Sequence, residues 1–269
     1  MGTGKQKETL MIRIAANLTM LYNEYDFFDR FAVAAEDGFQ AVEFFFPYPW
    51  PAEKIRQALE KHDQQLVLFN MPLGDWDAGD RGFAGQAGRV DEYQQGVSLA
   101  TDYGRQLHPP RINCPSGPAE DTPESWSTLK QNFEHAAESL KAEGIRMVVE
   151  PINHNDVPGA LLSGTGQTVR FLDSLNTDNL WVQYDLYHSL RAGEDPFKVL
   201  PAFIDRIDHI QIADVPGRHQ PGTGDVDFEK LFSLLEQLNY QGWTSMEYHP
   251  QGDTRQSFSR LREMGLLPR

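Results

Sequence analysis

Apolar residues in this chain come in short unbroken blocks, each bounded by polar or helix-patterned sequence. Residues 145–154 (IRMVVEPINH) show the unit most clearly. Met147, Val148 and Val149 run together without polar alternation, the pattern of a strand covered on both faces. Glu150 follows, and then Pro151, whose missing N–H ends pairing with a neighbouring strand. The pattern therefore places a carboxylate at the C-terminal tip of a buried strand, the edge where α/β proteins bind ligands.

The same unit recurs at 180–185 (LWVQYD), ending in Asp185, at 207–212 (IDHIQI), carrying Gln211, and at 243–248 (WTSMEY), carrying Glu247 with Pro250 soon after. Further strands are predicted at 13–17, 39–46, 66–70 and 111–114, the last cut short by Pro109 and Pro110. Helical spacing marks 26–36, 52–62, 91–103, 122–143, 165–175, 196–203, 228–238 and 255–264, with Gly38 and Gly144 as stops and Pro123 in a first turn. Strict alternation means a parallel sheet. A (β/α)8 TIM barrel needs about 250 residues, so 269 residues predict an α/β chain with one barrel domain over 11–269. Residues 1–10 (MGTGKQKETL) are polar, lack the apolar core of a signal peptide, and read as a flexible N-terminal arm. The stretch 71–88 is rich in Gly and Asp, holds Trp76 and Phe83, and is long enough to read as a lid over a site.

Composition narrows the function. A formal charge of −15, with Lys and Arg scattered, offers no basic face for a nucleic acid. The single Cys, Cys114, excludes an intramolecular disulfide and a Cys-rich metal site and fits a reducing compartment. No apolar run approaches the roughly 20 residues of a membrane helix, so the cytoplasm is the expected location. Taken singly, a strand-end Glu or Asp is often a cap or an ion-pair partner, and a Gln is more often structural than a ligand. Four oxygen donors at four strand ends fit a hard divalent cation such as magnesium or manganese, which relieves the mutual repulsion of three carboxylates and polarises a substrate carbonyl.

The chain resembles the hydroxypyruvate isomerase family, within the xylose-isomerase-like barrels. The resemblance runs from about Ile12 to the end and is carried by RIAANLTMLYNE, GFQAVEFFFPYPWP, LVLFNMPLGDWDAGDRGFA, VVEPIN, VQYDLYH, HIQIADVPGRHQPGTGDVDF and YQGWTSMEYHPQG. It implies a barrel with Glu150, Asp185, Gln211 and Glu247 as metal ligands, and with Glu150 and Glu247 moving the proton. The implied reaction interconverts hydroxypyruvate and tartronate semialdehyde through a metal-stabilised enediolate, a step of glyoxylate and carbohydrate metabolism. A small 2-oxo or hydroxy acid is then the partner, with no nucleic acid or membrane, and a homo-oligomer is compatible. Many relatives carry His where this chain has Gln211, a neutral oxygen donor suited to a hard ion. His188, just past Asp185, and Arg218, in the loop after the seventh strand, are placed to hold the substrate carboxylate. The nearest alternatives are a 2-oxo-tetronate isomerase and a ketose 3-epimerase. A nuclease would call for several His ligands and a basic groove, and a non-catalytic sugar-acid binder has no need of both Glu150 and Glu247.

Overall fold

The computed structural model describes residues 12–268; the arm expected at 1–10 lies outside them. Eight parallel strands close into a barrel in sequence order: β1 Arg13–Asn17, β2 Ala41–Phe44, β3 Gln65–Asn70, β4 Arg111–Asn113, β5 Arg146–Val149, β6 Leu180–Asp185, β7 Ile207–Ile212 and β8 Trp243–Met246. Around them lie α1 Phe27–Glu36, α2 Ala52–Lys61, α3 Val90–Leu107, α4 Pro123–Lys141, α5 Thr165–Asp173, α6 Leu186–Arg191, α7 Pro196–Phe203, α8 Phe228–Gln237 and α9 Ser259–Glu263. None of the described helices is long and apolar enough to cross a membrane.

The outward faces of the strands pack with the helices into one large apolar cluster, which includes Ile112, Met147, Val149, Val182 and Ile210. A separate small cluster of Ala15, Ala41 and Val67, with Trp243 against it, is built from other strand positions. Side chains two residues apart on a strand share a face. Stepping two residues onward from Ala15 and Ala41 gives Asn17 and Glu43, both fully buried. The polar layer thus stands on an apolar one, at the C-terminal end of the strands.

The prolines lie ahead of β4, which is as short as expected and bonds to both β3 and β5 over Arg111–Asn113. Two elements differ from those predicted. His188 sits on α6, a short helix that was not among them. Asp185 ends β6 and its side chain also accepts the N–H groups of Tyr187 and His188, capping the helix that starts at once. The predicted eighth helix is broken into a 3-10 turn, Gln256–Phe258, and α9.

The stretch 71–88 is cross-braced. Gly82 N–H donates to the Leu73 carbonyl and Ala84 N–H to Ser116. Asp80 receives Asp75 N–H and both Nη atoms of Arg89. Its stem lies hard against the loop after β4. Gly117, at φ +68°, faces Gly82 so closely that a Cβ there would stand 2.1 Å from the Gly82 carbonyl carbon, a position open only to glycine.

Candidate active site

Strand register assembles the site. β1 and β2 align Asn17 with Glu43, and β6 and β7 align Asp185 with Gln211. Glu150 and Glu247 each follow the last residue of their strand, β5 and β8. Glu150, Asp185, Gln211, Glu247 and His188 are all at most 7% exposed. Glu150, His188 and Glu247 line a cavity of about 670 Å³, together with Gln183, Arg218, Phe45, Phe46 and Trp76, a size suited to a small molecule; Asp185 and Gln211 lie behind its wall.

Beneath the mouth runs a continuous chain of hydrogen bonds. Asn17 Nδ2 donates to Glu247 Oε2 at 3.2 Å and to Glu43 Oε1 at 2.9 Å. Gln211 Nε2 donates to the same Glu43 oxygen at 2.7 Å. Gln183 Nε2 donates to Gln211 Oε1 at 2.6 Å and to Glu150 Oε2 at 2.9 Å. Asn113 Nδ2 also donates to Glu150 Oε2, at 2.9 Å. The two glutamates are thus joined through four intervening side chains. Glu43 is the hub, with His209 Nε2 2.6 Å from its other oxygen. Burial acts to raise the Glu43 pKa, but the His209 ring and the amides outweigh it and hold the carboxyl below its ordinary value.

Above this layer the charges are crowded. Burial, reinforced by Asp185, pushes Glu150 up to about 8. Burial also raises Glu247 well above its ordinary value, against the pull of Arg218 and with the repulsion of Glu150 and Asp185. Arg218 Nη2 bridges Asp185 Oδ2 at 3.0 Å and Glu247 Oε1 at 2.6 Å. Its backbone is left-handed, φ +55°, an uncommon state for arginine. The loop that holds it there is wound around buried Asp214, whose carboxylate accepts N–H groups from Val215, Gly222, Gly224 and Val226. The stretch 222–225 is accordingly a turn. Burial lowers the His188 pKa to about 4, so the ring is neutral near pH 7.

Asn153 fixes the His188 tautomer. Its Oδ1 accepts from the Asn155 and Asp156 N–H groups, so its Nδ2 must face His188 Nδ1, at 2.6 Å. Nδ1 then accepts and Nε2 carries the proton, 3.7 Å from Glu150 Oε1 and 3.6 Å from Asp185 Oδ2.

The residues expected from sequence therefore converge. Glu150, Asp185 and His188 bring polar atoms within 4.8 Å of one another, a spacing that could hold a metal ion; with the His188 Nε2 proton turned towards the acids, the two carboxylates and not the ring are the ligands this arrangement offers. Glu247 joins through Arg218, and Gln211 lies in the layer below. Three buried carboxylates share one bridging guanidinium; burial first, and their mutual repulsion second, raise the proton affinity of Glu150 and Glu247, the environment a divalent cation stabilises. Arg218 already spends a guanidinium nitrogen on two of these acids. Sequence reading missed Asn17, Glu43, Asn113, Gln183 and His209. The signal was present: Gln183 and His209 stand two residues before Asp185 and Gln211, on the same strand face.

A barrel closed by eight parallel strands, with buried acids at the C-terminal ends, defines the class, and the model for the xylose isomerase-like TIM barrel matches residues 31–264: the chain belongs to that family. Within it, the chain is similar to the hydroxypyruvate isomerase of Escherichia coli (strain K12), 42% identical over 250 residues, covering 91% of this chain and 96% of that protein. It is also similar to the 2-oxo-tetronate isomerase of Cupriavidus necator, 38% identical over 255 residues, covering 94% and 98%. The solved structure of an AP endonuclease, family 2, from Brucella melitensis superposes with a TM-score of 0.91 at 38% identity, covering 94% of this chain and 99% of that one.

Proposed function

We propose that the protein is a hydroxypyruvate isomerase, interconverting hydroxypyruvate and tartronate semialdehyde (2-hydroxy-3-oxopropanoate). The observation that carries this reading is the pair Glu150 and Glu247: two buried carboxyls on one cavity, both with raised proton affinity. A carboxyl of pKa about 8 can both take and give a proton near neutral pH.

Glu150, Asp185, Gln211 and Glu247 are the residues we assign to a divalent ion, magnesium or manganese on the strength of their oxygen donors. When bound, the ion supplies Lewis-acid polarisation of the 2-oxo group and favours ionised carboxylates. One glutamate removes a proton from C3, giving an enediolate, and the other returns a proton at C2. The C3 hydroxyl proton passes to the C2 oxygen, so the product is an isomer with no net oxidation. His188, neutral and with Nε2–H fixed by Asn153, donates to a substrate oxygen. Asn17 and Gln183 hold the two glutamates in place through the chain below.

A nuclease reading, suggested by the name of the Brucella protein, calls for a basic groove. This chain has 24 Lys and Arg against 39 Asp and Glu, which supports a small acid as the partner instead.

The test is a panel of 2-oxo-3-hydroxy acids of three and four carbons with Mg²⁺ or Mn²⁺, followed by proton NMR in deuterated water. Hydroxypyruvate is expected to give tartronate semialdehyde with solvent deuterium at C2, at higher kcat/KM than 2-oxo-tetronate. No turnover of either acid with either ion refutes the reading.

A further inference from the structure

The substrate proposed above is an anion, and two arginines line the cavity, Arg81 and Arg218. They are not equivalent. Arg218 is tied to Asp185 and Glu247. Arg81 makes no ion pair among the described residues. Its Nη1 donates to the main-chain carbonyls of Trp76, at 3.0 Å, and Asp80, at 2.6 Å. Its guanidinium lies 3.7 Å over the Trp76 ring, and that ring packs on Phe46 with centroids 5.5 Å apart. The plane is therefore clamped from one edge and one face, while Nε and Nη2 have no acceptor among the described residues. Arginine offers five N–H groups in a fixed fork that matches a carboxylate.

We infer that Arg81, on the loop over the mouth, grips the substrate carboxylate. This rests on the 2-oxo acid reading. Asp77, which also lines the cavity, opposes an anion and sets the direction from which the carboxylate approaches. Hydroxypyruvate and 2-oxo-tetronate share C1 to C3, so the carboxylate lies next to the reacting carbons in both. Arg81 therefore selects for a 2-oxo acid over a neutral ketose, while three and four carbons are told apart at the other end of the substrate.

The test compares wild type with Arg81→Met and Arg81→Lys, using Mn²⁺-loaded protein. Turnover of hydroxypyruvate is measured first. Binding of two unreactive or slowly reacting probes is then measured by calorimetry: pyruvate, which keeps the carboxylate, and dihydroxyacetone, which replaces it with a hydroxymethyl group. Loss of a charge-assisted pair is expected to weaken pyruvate and raise the KM of hydroxypyruvate about 10–100-fold in Arg81→Met. The fall in kcat and the change for dihydroxyacetone are expected to be several-fold smaller, and Arg81→Lys to recover part of the loss. Equal weakening of both probes would mean that Arg81 only shapes the loop and overturns the inference. So would an unchanged pyruvate affinity, which points instead to Arg218 once its acids have taken up the ion. If wild type binds pyruvate through Arg81 yet turns over no 2-oxo acid, the proposed reaction fails and the carboxylate grip stands.

Discussion

Replacing Glu150 with glutamine separates its catalytic role from its structural cost. In the folded chain this carboxyl is raised from 4.5 to about 8, by burial first and by Asp185 second. An acid whose folded pKa exceeds its unfolded value binds more protons when folded, so stability declines as pH rises through that interval. The interval spans about 3.5 units, which at 1.36 kcal/mol per unit sets a ceiling of about 5 kcal/mol lost between pH 4.5 and pH 8 in metal-free protein. Glu150→Gln removes the charge and keeps the shape; its amide oxygen can still accept from Gln183 and Asn113. At about 2 °C per kcal/mol for a chain of this size, the variant should melt roughly 5–10 °C above wild type at pH 9 and close to it at pH 5. Turnover should fall by about 10²–10⁴-fold or more. Thermal melts from pH 5 to pH 9 in the presence of a chelator, with an activity assay alongside, read both effects. A variant that follows the wild-type pH slope, or that melts below wild type at pH 9, refutes the claim that Glu150 is held as a costly buried charge.

Adding Mg²⁺ or Mn²⁺ at about 100 times its Kd should stabilise the protein by roughly 2.7 kcal/mol, and calorimetry should show affinity falling below pH 8 as protons compete at Glu150. His188, with its pKa lowered to about 4, should show no imidazole protonation step near 6.5, its NMR shifts moving only slightly towards pH 8 as the neighbouring Glu150 ionises. Because its folded pKa is depressed, its contribution to stability is present above about 6.5 and is lost as pH falls towards 4; a titration near 6.5 contradicts the Asn153-fixed neutral ring. Glu43→Leu strands the buried donors of Asn17, Gln211 and the His209 ring and should cost about 3–5 kcal/mol in urea unfolding. Glu43→Gln, which restores an acceptor, should cost clearly less, and equal losses would show that Glu43 serves only as packing volume.

The sequence carried the barrel and the acids because both leave one-dimensional traces. The block Met147–Val149 followed by Glu150 and Pro151 is legible without any neighbour, and so is Asp185 at the end of its apolar run. Helix α6 escaped because Asp185 does two jobs: the residue that ends the strand also caps the next helix, so no spacer marks the boundary. Glu43 escaped because it stands amid Phe44, Phe45 and Phe46 and reads as one polar interruption of an apolar strand. Its value appears only when β1, β2 and β7 set Asn17, His209 and Gln211 around it. Arg218 was expected at the mouth and does line the cavity; that it also bridges two acids depends on the backbone turn around Asp214 and leaves no mark in spacing.

The contact between Gly82 and Gly117 ties two loops of the mouth into one wall. The foot of the segment carrying Trp76 and Arg81 is seated backbone to backbone on the loop after β4, with no room for a side chain between them. Any residue larger than glycine at 117 would part that seam and shift the side chains that the segment hangs over the cavity.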